Sequence, residues 1–431
     1  MTMYCKQFFF IALLFPVWGS AKLPESIQWY GFVSPEYSYD SRKMVEARDY
    51  HYTLYPKDVD ITMDGKDAND VPRTSFTPFN SRIGMKGKDS SGVFGSDYIA
   101  TLVEADFRGW GDTSTLLRLR KALITFGKEN NAYFFGQTYH PFAAPTTFPN
   151  TVSYGKGDPY DSAVFVPQLG WNYFFRGQER EESQITITLW SATMGARASG
   201  PGNVVSSSYM REGVWPGVNF RMQGLVRELL VGASFDMRPL RPAHKGEILS
   251  SGDQYYEHAT FNTFAAVAYA EARFNKGYLK IHGALSNGYS DLYAYGGYAV
   301  KTFDEKTRVR TYAPLRTMLG WFDSEVEISG VVKPGIFIGV AKNYGAGCRL
   351  YQPYNGTTQT YDAPIVYGAG YLIDRMFRIA PRVWIERKNI KFGVEAEWNC
   401  AWYGTLDSEA RVICPHSVDS IRLLVALFYN F

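Results

Sequence analysis

The sequence predicts an all-β fold: a transmembrane antiparallel β-barrel of 16 strands, with short periplasmic turns and long external loops. Three observations carry that expectation. Two-residue alternation of apolar and polar side chains recurs along most of the chain, while helical periodicity of useful length does not. Many segments reach the roughly 9 to 11 residues that a tilted strand needs to cross a bilayer, whereas sandwich strands usually have about 5 or 6. Short and long connections alternate between the segments, and a soluble sandwich gives no reason for that.

The predicted strands are 26–38, 75–86, 97–107, 115–126, 132–139, 163–175, 184–196, 216–226, 228–238, 260–273, 278–287, 315–327, 335–343, 376–387, 390–403 and 419–431. An even count puts both ends of the barrel on one side. In "QITITL", Ile185, Ile187 and Leu189 oppose Gln184, Thr186 and Thr188. In "ELLVGASFDM", Leu229, Val231, Ala233, Phe235 and Met237 oppose Gly232, Ser234 and Asp236. In "MFRIAPRVWIE", Phe377, Ile379, Val383 and Ile385 oppose Arg378, Arg382, Trp384 and Glu386. In "NIKFGVEAEW", Phe392, Val394, Ala396 and Trp398 oppose Lys391, Gly393, Glu395 and Glu397. Around 260–273 the alternation is blurred by alanines and Glu271. Short turns fall at "GKENN" (127–131), "NKG" (275–277) and Lys388-Asn389. Long loops span 39–74, 139–162, 239–259, 288–314 and 344–375.

The chain ends on "SIRLLVALFYNF", with Ile421, Leu423, Val425, Leu427, Tyr429 and Phe431 on one face. In a closed barrel the last strand pairs with the first, and its apolar face points at lipid. An ordinary buried C-terminal strand is the plainer alternative.

Composition agrees with a membrane wall. Charged residues make up 20% of the chain, below the quarter or so usual for soluble domains. A formal charge of +3, without a basic block, gives no argument for nucleic acid. The start "MTMYCKQFFFIALLFPVWGSAK" has Lys6, an apolar run too short to span a bilayer, and small residues at Gly19-Ser20-Ala21. It reads as a secretory signal peptide, 1–21, rather than an anchor helix. No later run is long enough for a transmembrane helix, so 22–431 is expected to be a single barrel domain. Removing the signal leaves Cys348, Cys400 and Cys414, an odd number. Whether Cys400 and Cys414 pair stays open.

Several motifs, spread over nearly the whole mature chain, carry a resemblance. They are "GFVSPEYSYDSR" (31–42), "LYPKD" (54–58), "SRIGMKG" (81–87), "EADFRG" (104–109), "LLRLRKA" (116–122), "GQTYHPF" (136–142) and "MFRIAPRVW" (376–384). With the closing aromatic strand, the chain resembles the sixteen-stranded diffusion porins of Gram-negative bacteria. It is most similar to the porin-like proteins of Bacteroidetes, related in pattern to DcaP-like and phosphate-selective porins. The resemblance implies an outer-membrane, water-filled homotrimer with its third external loop folded inward. It also implies that the assembly machinery recognises the strand ending in Phe431. The N-terminal coiled coil of some DcaP-like members is lacking.

Within that frame, 139–162, which carries "HPFAAPTTFPNTVSYGKGDPYDS", is the expected constriction loop. Asp158 and Asp161 would be its acidic members, with Tyr160 between them and His140 at its base. A loop lying outside the channel is the plainer alternative. On the wall, alternation places Glu104 and Asp106 inward on one strand and Arg118 and Arg120 on the next. If the hairpin is symmetric about Gly111, Glu104 lies across from Arg118. Charges opposed across a narrow pore set up a transverse field and an ion preference; a plain cross-strand salt bridge is the alternative. Lys121 falls awkwardly on the lipid face, beside Leu117, Leu119 and Leu123. Other inward charges by register are Arg82, Lys86, Asp236, Arg238, Lys280, Arg378, Arg382, Glu395, Glu397 and Arg422. Bases outnumber acids in this set, which predicts a mild anion preference.

Trp29, Tyr30, Tyr133, Trp398, Trp402, Tyr403 and Tyr429 fall near strand ends, as interfacial aromatics do. An aromatic slide for sugars would need inward rings such as Trp190 and Trp384. Six scattered histidines show no metal-ligand spacing, and no G-x-S-x-G elbow appears, so neither metal, cofactor nor enzyme is expected. The expected function is passive diffusion of small hydrophilic solutes or ions. The alternative is a barrel acting mainly as a surface binding protein: an adhesin, a receptor or an envelope-complex component.

Overall fold

A computed structural model of the chain describes residues 26–48, 52–90, 92–109, 116–143, 147–175, 182–192, 197–200 and 204–431. The signal segment 1–21 lies outside the described residues. The chain forms a closed antiparallel barrel of 16 strands. In order they are β1 (Ser26–Val33, resuming as Glu36–Asp40), β2 (Arg73–Thr77, resuming as Arg82–Asp89), β3 (Tyr98–Asp106) and β4 (Arg118–Lys128). Next come β5 (Asn131–Tyr139), β6 (Phe165–Phe174), β7 (Gln184–Trp190) and β8 (Gly217–Val226). Then follow β9 (Leu229–Leu240), β10 (Phe261–Phe274), β11 (Gly277–Asn287) and β12 (Arg316–Val326). The last four are β13 (Val332–Asn343), β14 (Ile373–Arg387), β15 (Ile390–Leu406) and β16 (Val412–Asn430).

The breaks in β1 and β2 have one cause. Pro35 and Pro78 have no N–H to give to a ladder. The gaps lie side by side, and Ser34 N–H donates to Ser81 Oγ at 3.0 Å across them.

β16 closes the barrel against β1. Phe32 pairs with Asn430 and Tyr39 with Leu423. Gly31 and Phe431 exchange two backbone bonds of 3.1 Å. A side chain on Gly31 would collide with the Phe431 ring, so the terminal aromatic is seated on a glycine. The two faces of β16 differ sharply. Leu423 and Leu427 are 49% and 44% exposed, whereas Leu424 and Ala426 are 2% and 0%. The same apolar, exposed outer face recurs at Ile83, Leu119, Phe135, Leu189, Phe235 and Val383, as a wall in lipid requires.

The strands expected at 216–226 and 260–273 form as β8 and β10. On β10, Ala266 and Ala268 face outward, while Val267, Tyr269 and Glu271 are buried inside. The blurred alternation is thus a wall segment with small outer residues. Part of the strand expected at 184–196 (193–196) and Gly111 lie outside the described residues.

One register expectation is overturned. Asp106, not Glu104, pairs with Arg118, and Glu104 pairs with Lys121. Arg120 is an extra residue on β4 at this point, a β-bulge. The bulge flips everything beyond it. Lys121 turns inward, 3.8 Å from the Glu104 carboxylate, and Ile124 rather than Leu123 takes the exposed outer position. Two aromatic expectations also change. Tyr30 and Tyr403 point inward, donating to Glu104 (3.0 Å) and to the Pro56 carbonyl (2.6 Å). Cys348, Cys400 and Cys414 are all free thiols.

Loops fill much of the interior. The hairpin of Met44–Arg48 and Tyr52–Pro56 buries Leu54 and Tyr55. A helical turn, Ser290–Tyr293, is buried throughout. These pack with Phe142 and Tyr160 against Trp190, Tyr269, Trp321 and Phe337. One side of the lumen, along β7 and β10–β13, is therefore an aromatic core. The charged cluster on β3 and β4 lies on the other side of the lumen, and further charged inner residues stand on β9–β12.

Candidate functional site: a loop strung across the lumen

On β3 and β4, alternation plus the bulge bring Glu104, Asp106, Arg118, Arg120 and Lys121 to the inner wall. Arg118 grips Asp106 with two bonds, Nε to Oδ1 at 2.9 Å and Nη2 to Oδ2 at 2.5 Å. Arg120 donates to Glu104 (2.7 Å), Asp106 (2.8 Å) and Tyr139 (3.0 Å). Arg82 adds a 3.7 Å contact to Glu104. Acids and bases are thus neighbours on one wall, bonded directly, and do not face each other across open water. The plain salt-bridge alternative describes these two strands.

The loop after β5 joins this wall to β12 and β14–β16. Tyr154 reaches the cluster: its hydroxyl accepts from Arg118 (2.8 Å) and Arg120 (2.6 Å) and donates to Asp106 (3.1 Å). The Arg108 guanidinium lies 3.4 Å over the Tyr154 ring. Burial alone would raise the Tyr154 pKa, but Arg120 and Arg118 bring it below the ordinary phenol value. The loop tip is held by β15, β14 and β12. Glu395 on β15 accepts the backbone N–H groups of Val152 (2.8 Å) and Ser153 (3.0 Å). Trp384 on β14 donates to the Asn150 carbonyl at 2.9 Å. Asn150 in turn donates to Asp323 (3.1 Å) and Glu325 (2.7 Å) on β12. Val152 packs with Trp384, Leu424 and Ala426, so the apolar inner face of β16 is a seat for the loop.

Other expected residues are committed to structure. Arg382 makes a bidentate pair with Asp323, at 2.6 and 3.1 Å. Arg378 donates to Asn399 and to the Leu54 carbonyl (2.9 Å), with Glu397 3.7 Å away. Asp158 and Asp161 are buried. Burial pushes the Asp161 carboxyl up to about 7. Tyr160 packs over Gly339, which has no side chain to obstruct it, and against Phe337. His140 is fully buried, edge-on to Trp190, and burial keeps its ring neutral. Trp190 and Trp384 are also buried and bonded, so they form no slide for sugars.

Sequence reasoning missed Lys156, Tyr154, Asn150, Asp323 and Glu325. Alternation in "WFDSEV" marks Asp323 and Glu325 as inward; nothing local marks the loop residues. The missed acids, with Glu36, Asp40 and Glu271, bring the charges of the wall close to balance. Lys156 is the local exception. It sits among Arg82, Arg120, Lys121 and Lys391, and burial together with these cations pushes its ammonium down to about 7. Among the described residues, no cluster of His, Cys, Asp and Glu could hold a metal ion.

The fold, a closed sixteen-stranded antiparallel barrel, is that of outer-membrane channels of known structure. DcaP, the outer membrane channel of Acinetobacter baumannii, has the same fold at a TM-score of 0.64 and 16% identity, over 94% of this chain and 97% of that one. OmpF of Salmonella typhi, in complex with daunomycin, matches at 0.50 and 14% identity, over 94% and 97%. The trimer form of OmpT of Vibrio cholerae matches at 0.51 and 9% identity, over 94% and 99%. No protein-family model and no curated protein sequence matches the chain.

Proposed function

We propose that the protein is an outer-membrane diffusion porin that passes small hydrophilic solutes and prefers anions. The observation that carries this reading is the loop tied at Glu395 on β15 and through Tyr154 to Arg118 and Arg120 on β4. Such a strut narrows a barrel lumen without closing it. The half filled by aromatic packing leaves the route to the polar side. There Arg82, Lys86, Lys121, Lys156 and Lys391 concentrate positive charge, and charged linings set ion preference. On this reading 139–162 is the constriction loop, with Lys156 and the guanidiniums, not Asp158 or Asp161, as its selective members. Export by the signal peptide, recognition of the strand ending in Phe431 by the assembly machinery, and a homotrimer in the membrane belong to the same proposal. No catalysis is assigned.

The packed aromatic half also favours a second reading, a barrel that mainly binds partners through its long loops. Liposome swelling separates the two. Vesicles carrying the purified protein are expected to swell in small sugars and amino acids faster than protein-free vesicles. Swelling no faster than the lipid control rejects the channel and favours the binding role.

A further inference from the structure

Two adjoining hollows indent the outer face of the wall between β8 and β13. The lower holds about 890 Å³ and is almost wholly apolar. The upper holds about 850 Å³ and shares Phe235, Ala266 and Leu285 with it, so the two form one furrow. The floor is made of Ala266, Ala268, Gly283 and Gly320, with Phe235 and Met318 at its sides. Gly283 owes nothing to local packing, because a Cβ there would meet nothing within 4 Å. The absence of a side chain at this position is what keeps the furrow open.

The upper end changes character. It is lined by Arg316, Lys342 and Arg411, at the long-loop ends of β12 and β13 and in the β15–β16 turn. Two carboxylates share this end and are already engaged. Asp374 pairs with Lys342 at 2.5 Å, and Asp407 accepts the backbone N–H groups of Glu409 (2.9 Å) and Arg411 (2.8 Å). The Arg411 guanidinium bonds to Glu409. Arg316 is exposed and forms no ion pair among the described residues.

We propose that this furrow binds an acyl lipid with a phosphorylated headgroup, drawn from the leaflet at the long-loop end. Its chains lie in the apolar hollow and its phosphate meets Arg316, flanked by Lys342. The depth of each part fits: cations at the interface, small apolar residues below. A two-fold contact with a second copy fits badly, because two barrels in one membrane meet about an axis along the membrane normal and their cationic ends would lie at the same height, against each other. The inference rests on the transmembrane barrel and is independent of the channel reading.

The test is native mass spectrometry of the detergent-solubilised protein titrated with dimyristoyl phosphatidic acid or dimyristoyl phosphatidylcholine. Wild type is expected to retain one phosphatidic acid in preference to the choline lipid. Arg316→Gln is expected to weaken phosphatidic acid binding about fivefold and to leave the choline lipid unchanged, since one cation at a lipid surface gives about that factor. Gly283→Leu fills the furrow and is expected to weaken both, while the barrel still resists heat on a gel as wild type does. Equal retention of the two lipids, or indifference to Arg316→Gln, overturns the proposal. So does a dimer or trimer that disappears in Gly283→Leu, which would make a second copy the occupant.

Discussion

Glu395 accepts the backbone N–H of Val152 at 2.8 Å, although the two residues lie 243 positions apart. The same carboxylate takes the Ser153 N–H at 3.0 Å. A wall residue that alternation marks as a pore-lining charge is therefore a clamp on the loop tip. A hydrogen bond of this kind contributes about 0.5–1.5 kcal/mol net. Glu395→Ala should release the tip and raise single-channel conductance. Glu395→Gln keeps one acceptor oxygen and should fall between. Conductance equal to wild type in Glu395→Ala would show that the tip does not limit flow.

Asp106 holds Arg118 and Arg120 together. Asp106→Asn removes their shared counter-charge, so the variant should prefer anions more strongly than wild type in bilayer recordings. Breaking a buried ion pair on one side costs about 3–5 kcal/mol. The temperature at which the barrel loses its folded gel mobility should drop accordingly. A variant that keeps wild-type selectivity would mean that the guanidiniums are screened from the solute path.

Lys156 gives the channel a pH dependence with a definite sign. Its ammonium is pushed down to about 7 by burial and by Arg82, Arg120, Lys121 and Lys391. It is charged below that value and neutral above it, so anion preference should weaken as pH rises through about 7. Asp161, also pushed up to about 7, acts in the same direction by becoming negative. Lys156→Met separates them: it should remove most of the pH step and lower anion preference at acid pH. An undiminished step in that variant would assign the titration to another group.

Gly136 shows how tightly β4 and β5 are matched. Its φ is 139°, and a Cβ there would lie 2.0 Å from the Ala122 carbonyl oxygen. Gly136→Ala should destabilise the barrel by about 1–3 kcal/mol, the usual cost of a strained backbone. Heat titration of the folded gel form measures it. An unchanged transition would mean that β4 can shift without cost.

The barrel was largely legible in the sequence because a lipid-facing wall enforces alternation residue by residue. Leu423, Leu427 and Val383 could not be polar, and so the strand set could be counted. The bulge at Arg120 left no such mark: one inserted residue in "RLRK" looks like continued alternation, yet it turns Lys121 inward. Asp323 and Glu325 could have been read from "WFDSEV". Tyr154 and Lys156 could not, because their places depend on where Glu395 catches the loop, a contact between distant parts of the chain. Asp158 and Asp161 are acids in a loop by composition, but burial depends on which loop face meets the wall, and local composition does not record that.

The central proposal is a narrow, polar route beside the tethered loop, with its local excess of cations. The reversal potential of a wild-type bilayer in a KCl gradient near pH 6 tests this most directly. The account predicts a potential of the sign that marks chloride as the more permeant ion, shrinking in Lys156→Met. A potential of the opposite sign, with potassium the more permeant ion, would contradict it.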